Sequence, residues 1–232
     1  IMTVLPGLDP ATTVSLANAV WYRQGLSLHG SFESICRDYF DAQVKAMDFG
    51  LPTAADTINN WVDEKTNGKI DGIVKPPLSP YLMAILANAI YFKGTWTYTF
   101  DPDMTESLPF HRADGTEVLR DMMRLCTDSL RDASTGEPDT TVLYARTELF
   151  QAASLPYGNA ALRMTVLAPN QDYAAGDVIE TFTADSWDEW RNQLEPAFFD
   201  VALPRFRFEF GQVLNDHLIA MGMGDAFNPA VA

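Results

Sequence analysis

The sequence predicts an α+β fold: one domain with more than one β-sheet and helices packed around them. Three observations carry that expectation. Strand-like and helix-like stretches alternate irregularly along the chain. Two segments read as β-hairpins, one turning at Asp114-Gly115 and the other at Gly158-Asn159. One segment, TAADTINNWVDEKTNGKI, has the periodicity of a surface helix with a single packed face. No linker, low-complexity tract or charge block divides the 232 residues, so 1–232 is read as a single domain. At roughly 150 residues per domain that is a large one, able to bury about 70% of its unfolded surface.

Taken in order, residues 12–22 are rich in β-formers and end at Arg23-Gln24-Gly25. Residues 32–40 have helical spacing that puts Phe32, Cys36, Tyr39 and Phe40 on one face. Residues 43–49 alternate through Val44, Met47 and Phe49 and suit a short strand ending at Gly50. In the clear helix, Thr53 can cap the start, with Asp56 near the positive end of the dipole. Ile58, Trp61 and Val62 form its packed stripe, and Lys65 can add its methylene stem. Asn67-Gly68 offers a left-handed stop, with Lys65 and Lys69 near the negative end. A helix with one apolar and one wet face should lie on a sheet.

After the connector KPPLSP, residues 82–92 form a long apolar strand, which should be covered on both faces. Asn88 interrupts it, as Asn18 interrupts SLANAVWYRQG: each is an amide where valine would serve. The hairpins follow, over 110–123 and 148–169. Residues 173–194 read as an amphipathic helix around Val178, Ile179, Phe182, Trp187 and Trp190. In LPRFRFEF, Phe206, Phe208 and Phe210 alternate with Arg205, Arg207 and Glu209, a half-buried strand. A final helix carries Leu214, Leu218 and Met221 and ends near Gly222 or Gly224.

Sixteen Lys and Arg against thirty-one Asp and Glu give a net charge of −15. That field repels phosphate backbones and anionic headgroups, so neither nucleic acid nor a membrane surface is an expected partner. The longest near-apolar run, 81–92, falls short of the roughly 20 residues a membrane-spanning helix needs. Cys36 and Cys126 make no disulfide framework, and Cys36 reads as a buried, inert thiol rather than a reactive one.

Catalytic signatures are lacking: no G-x-S-x-G, H-E-x-x-H, G-x-x-x-x-G-K-[ST] or paired C-x-x-C. The three histidines, His29, His111 and His217, fall in a loop, a hairpin and the last helix. A Ser, a His and an Asp could still converge from distant positions. Glu148 and Asp200 come closest to carboxylates within apolar runs, and solvated strand edges are their expected home. The chain is therefore expected not to be an enzyme, with no catalytic residue, cofactor or metal site to name.

A family resemblance rests on several segments in order. LANAIYFKGTW, followed by FDPDMTESLPFHRADGTEVLRDMM, resembles the serpins, the serine-protease-inhibitor fold. INNWVDEKTNGKI resembles their helix F and the turn after it, and SLPYGNAALRMTVLAP resembles paired strands of sheet B. LPRFRFEF with LNDHLIAMGMGDAF resembles the last strand and helix before the reactive-loop region. The resemblance covers nearly the whole chain. It implies the serpin fold, with mixed β-sheets A, B and C and surrounding helices, incomplete in this chain.

It also implies a mechanism. A serpin exposes a bait loop, the target protease forms an acyl-enzyme with it, and the cut loop inserts as a new strand into sheet A. The protease is dragged across and distorted before water can release it, so function rests on kinetic stability. On this resemblance residues 82–92 are strand 3 of sheet A, bordering the gap the loop enters. Asn88 matches the "shutter" amide that hydrogen-bonds across that gap and can exchange partners when a strand inserts. Without the family, Asn88 would only satisfy a bulge or pin register. Trp96 matches the "breach" tryptophan, where loop entry begins, and is equally compatible with an ordinary core aromatic. The helix over 53–67, with Asn59, Trp61, Thr66 and Lys69, would be the lid over sheet A. Asn18 falls on the neighbouring strand, with no role beyond a satisfied buried amide.

The family pattern extends beyond both ends, with helices before Ile1 and with strand 5 of sheet A, the reactive loop and further strands after Ala232. The chain is accordingly expected to be part of a longer serpin, to pair with those segments, and by itself to inhibit nothing. The implied partner is a serine or cysteine protease, and the implied setting extracellular or cell-surface. A non-inhibitory serpin, serving as carrier, chaperone or storage protein, stands as the alternative.

Overall fold

A computed structural model describes residues 4–131, 135–137, 139, 141–207 and 212–228. Strand β1 (Thr12–Arg23) is the centre of the first sheet. From its end the chain turns through helix α1 (Gly30–Phe40) and returns as β2 (Ala42–Met47), which pairs parallel to β1. Asp41, at φ 47°, makes the left-handed exit from α1. Cys36 is buried against Val20, Ala42 and Val44, whereas Phe32, Tyr39 and Phe40 of the same helix are exposed. The packed stripe of α1 is thus narrower than its spacing suggests.

Helix α2 (Ala54–Lys65) follows. Ile58, fully buried, packs with Trp61 and Val62 onto Ala19, Trp21 and Ala89 of the sheet. Trp21 and Trp61 meet edge to face at 5.2 Å. Asn67 and Gly68 take φ of 50° and 71°, the left-handed stop that their sequence suggests. Thr53 makes no side-chain cap: its backbone is already helical, so its hydroxyl does not face the first-turn N–H groups.

Strand β3 (Ala84–Gly94) pairs antiparallel with β1, completing the order β2-β1-β3. The expectation that this strand is covered on both faces is not met. Ala89 is buried beneath α2, but Leu86, Ile90 and Phe92 on the other face are 60%, 61% and 44% exposed. At its end Phe92 meets Tyr157 edge to face at 5.0 Å, while Leu86 and Ile90 stay open.

Strands β4 (Glu106–His111) and β5 (Glu117–Cys126) form the first hairpin, turning through Gly115 at φ 78°. The second hairpin is β7 (Phe150–Tyr157) and β8 (Leu162–Pro169), preceded by β6 (Leu143–Arg146). The amphipathic stretch 173–194 is two helices, α3 (Ala175–Glu180) and α4 (Ala184–Asn192). They break where Thr183 turns extended and caps α4, its Oγ1 accepting the Ser186 N–H at 3.1 Å. Val178 and Trp190 pack beneath them against Phe150 and Ala152. Strand β9 (Glu195–Pro196) joins β6, giving the sheet β8-β7-β6-β9.

Strand β10 (Asp200–Pro204) pairs with β5, giving β10-β5-β4. The strand expected at LPRFRFEF therefore ends at Pro204: Arg205 to Arg207 are not strand, and Phe208, Glu209 and Phe210 lie outside the described residues. The last helix is one short turn, α5 (Asn215–Leu218), continued by irregular turns in which Gly222 reaches φ 100°. Leu214 and Met221 are exposed.

Candidate functional site

The two interrupting amides face each other. In the β1–β3 register Asn18 lies directly opposite Asn88. Asn88 Nδ2 donates to Asn18 Oδ1 at 2.8 Å, and Asn18 Nδ2 donates to the Phe40 carbonyl at 2.7 Å. The chain of amides therefore runs from β3 through β1 to the end of α1. A cross-strand pair of this kind needs a side chain that both donates and accepts, which valine does not offer.

Two expectations change here. Asn88 is exposed, not buried, and its described bond points toward β1 rather than across the opposite border. Asn18 is the partner of Asn88 rather than a separate buried amide. The signal was present as repeated LANA: Ala17-Asn18-Ala19 pairs antiparallel with Ala87-Asn88-Ala89, each residue opposite its own kind. On its other side β3 has no paired strand among the described residues. Its outward backbone groups form an open edge able to accept a strand.

Trp96 lies two residues past the end of β3, where the first sheet meets the β8-β7-β6-β9 sheet. It stacks on Tyr157 at 4.3 Å and 15°, meets Phe100 at 5.9 Å, and its backbone bridges to Tyr157. Burial pushes the Tyr157 hydroxyl pKa up. Gly94 allows the approach: a Cβ there would sit 2.7 Å from the Tyr157 ring.

On the α2 side, Asn59 clamps the segment that returns from the helix. Its Oδ1 accepts the N–H groups of Ile73 and Val74 at 2.9 and 3.1 Å, and its Nδ2 donates to the Val74 carbonyl at 2.9 Å. Thr66, 1% exposed, donates to the Val62 carbonyl at 2.8 Å and accepts the Ile70 N–H at 3.1 Å. Lys69 is exposed. These residues hold a helix and its return loop on one face of the sheet, while Asn18 and Asn88 lie on the other. The six residues singled out thus serve one sheet without forming a common cleft.

The titratable groups do not converge on a catalytic set. His29 Nδ1 lies 2.7 Å from Ser31 Oγ in an exposed turn, His111 is 3.5 Å from Glu117, and His217 is 2.6 Å from the Gln212 side chain. Cys126 is exposed, and hydrogen bonds to Asp128 and then Asp200 push its thiol pKa up to about 12. Glu148 is exposed, and the Asp200 carboxylate is exposed 3.6 Å from Arg124. Among the described residues no three His, Cys, Asp or Glu gather as metal ligands.

What the geometry defines, among the described residues, is a three-sheet α+β scaffold whose distinctive parts are a sheet with α2 packed on one face and no strand paired outside β3, and an aromatic junction at the end of β3. The serpin (serine protease inhibitor) family model matches residues 2–232, and the chain belongs to that family. A serpin-like protein of Methanosarcina mazei is 31% identical over 218 residues, covering 92% of this chain and 48% of its own length. Serpin B11 of Mus musculus is 31% identical over 230 residues, covering 97% and 56%. Among solved structures, emu ovalbumin matches with a TM-score of 0.78 at 26% identity, over 96% of this chain and 56% of that one. The native state of the thermophilic serpin tengpin matches the fold at 0.82 and 24% identity, over 98% and 56%. The chain spans about half the length of the curated relatives it matches.

Proposed function

We propose that the protein containing this chain is a serpin-type protease inhibitor that traps a serine or cysteine protease as an acyl-enzyme and inserts the cleaved loop beside β3. The observation that carries the reading is the border of β3, which has no paired strand among the described residues and lies in a sheet that α2 covers on one face and the Asn18–Asn88 pair staples. An extended segment added there would satisfy the outward N–H and C=O groups, a gain available only after cleavage releases the loop. In this reading Asn88 is the shutter amide and Trp96 marks the end where insertion starts. Asn59, Trp61, Thr66 and Lys69 belong to a lid that must yield.

The stabilising strand is withheld until the protease acts, so the inhibitor works from a kinetically trapped state. The 232 residues alone are expected to trap nothing. Incubating the full-length protein with trypsin-, chymotrypsin- and subtilisin-like proteases should give a complex that survives SDS. Loop cleavage should also raise its unfolding temperature. No complex and no gain on cleavage would sink the proposal in favour of a carrier, chaperone or storage role.

A further inference from the structure

Asp9 is a carboxylate that the insertion reading does not use. It is 2% exposed and stands three residues before β1, and its two oxygens serve different parts of the chain. Oδ1 accepts the Ala11 N–H at 2.8 Å, a local turn. Oδ2 accepts the Asn159 N–H at 2.9 Å, 150 residues away in the β7–β8 turn. Asn159 reciprocates, its side-chain amide donating to the Leu8 carbonyl at 3.1 Å. Bonds from N–H to a carboxylate are stronger than neutral ones, and burial removes competing water.

The same node gathers the exit of β3. The Gly158 N–H donates to the Thr95 carbonyl at 2.9 Å, and Thr97 Oγ1 donates to the Gly158 carbonyl at 2.9 Å. Gly158 sits at φ 48°, and a Cβ on it would run into the Asp9 carboxylate. Trp96 lies between these two threonines, so its stack on Tyr157 is held from the turn that Asp9 grips.

We propose that Asp9 is the positioning residue for the Trp96 end of the first sheet: its carboxylate locks the β7–β8 turn onto the start of β1. The functional consequence rests on the inhibitor reading, in which strand entry begins beside Trp96. With the lock released, the entry point yields and insertion slows relative to hydrolysis of the acyl-enzyme.

The test is amide hydrogen exchange on the full-length protein carrying Asp9→Ala, Asp9→Asn or Val178→Ala. The last trims a buried side chain of α3 that packs on Phe150 and Ala152, at the opposite end of β7 from the node. Asp9→Ala should speed exchange at Gly158, Asn159 and Thr97 at least tenfold relative to interior amides of β7 and β8, about 1.4 kcal/mol at 25 °C. Asp9→Asn keeps one acceptor oxygen but turns an NH2 toward one of the two N–H groups, so it should fall between. Val178→Ala should leave the node amides at their wild-type ratio. An Asn159 amide unchanged by Asp9→Ala, or moved as far by Val178→Ala, overturns the lock. In protease assays, Asp9→Ala should raise the moles of inhibitor consumed per mole of protease trapped, and Val178→Ala should not. An unchanged ratio despite lost protection overturns the positioning role. A wild type that traps no protease defeats the inhibitor reading alone, since exchange still decides the lock.

Discussion

The two faces of β3 meet opposite fates. Toward α2, Ile85, Ala87 and Ala89 join Trp21, Ile58 and Trp61 in the largest core cluster. Away from it, Leu86, Ile90 and Phe92 are larger on average, yet 60%, 61% and 44% exposed. Apolar character in a strand states a capacity to be buried, while burial itself depends on which element lies across the face. The covered face carries the packing energy, and the open one carries the amide pair and borders the edge proposed to accept a strand.

The largest test of that contrast is a pair of truncations. Ile58→Ala should cost about 2–5 kcal/mol of unfolding free energy in urea, because it empties a closed site. Ile90→Ala, across the sheet, should cost no more than about 0.5 kcal/mol. Equal losses would show that the outer face is covered in solution.

At the end of the same strand, Gly94→Ala should cost about 1–3 kcal/mol by overpacking against Tyr157. Its near-UV circular dichroism should report a disturbed Trp96–Tyr157 stack. A neutral Gly94→Ala would mean that the junction is looser than the 4.3 Å stacking indicates.

On the open face, a double-mutant cycle of Asn18→Ala and Asn88→Ala should give a coupling of about 0.5–1.5 kcal/mol, the net worth of one hydrogen bond. Zero coupling would mean that water serves the two amides equally well.

The smallest effect is chemical and compares the two thiols. A pKa raised from 9.0 to about 12 lowers the thiolate fraction at every pH below that value. Exposed Cys126 should therefore alkylate slowly at pH 9.0 and accelerate toward pH 12, whereas buried Cys36 should stay unreactive until unfolding. Asp128→Asn should speed Cys126 at pH 9.0, and an unchanged rate would show that the hydrogen bond does not hold in solution.

Much of the scaffold is readable in residue order because its signals are local. The helix α2 is legible from the stripe Ile58, Trp61, Val62 and the stop at Asn67-Gly68, and both hairpins from their turn residues. The misplaced elements have local causes too. Thr183 and Ser186 break one amphipathic stretch into α3 and α4 by a cap that competes with continued helix. β10 ends at Pro204, before the Phe–Arg alternation, so among the described residues period two alone set that strand too late.

The site divides along the same line. Asn88, Trp96 and the residues of α2 stand out in sequence because an amide within apolar residues, a family pattern and a helix stop are short-range features. The partner of Asn88 came only with the β1–β3 register, and Asp9 came only when the β7–β8 turn was brought to it from 150 residues away. By itself the sequence determined most of the strands, helices and turns, since propensity and periodicity act over a few residues. Tertiary structure alone decided which face of β3 is covered, which amides meet and which carboxylate is enclosed, because each depends on distant segments closing around a shared core.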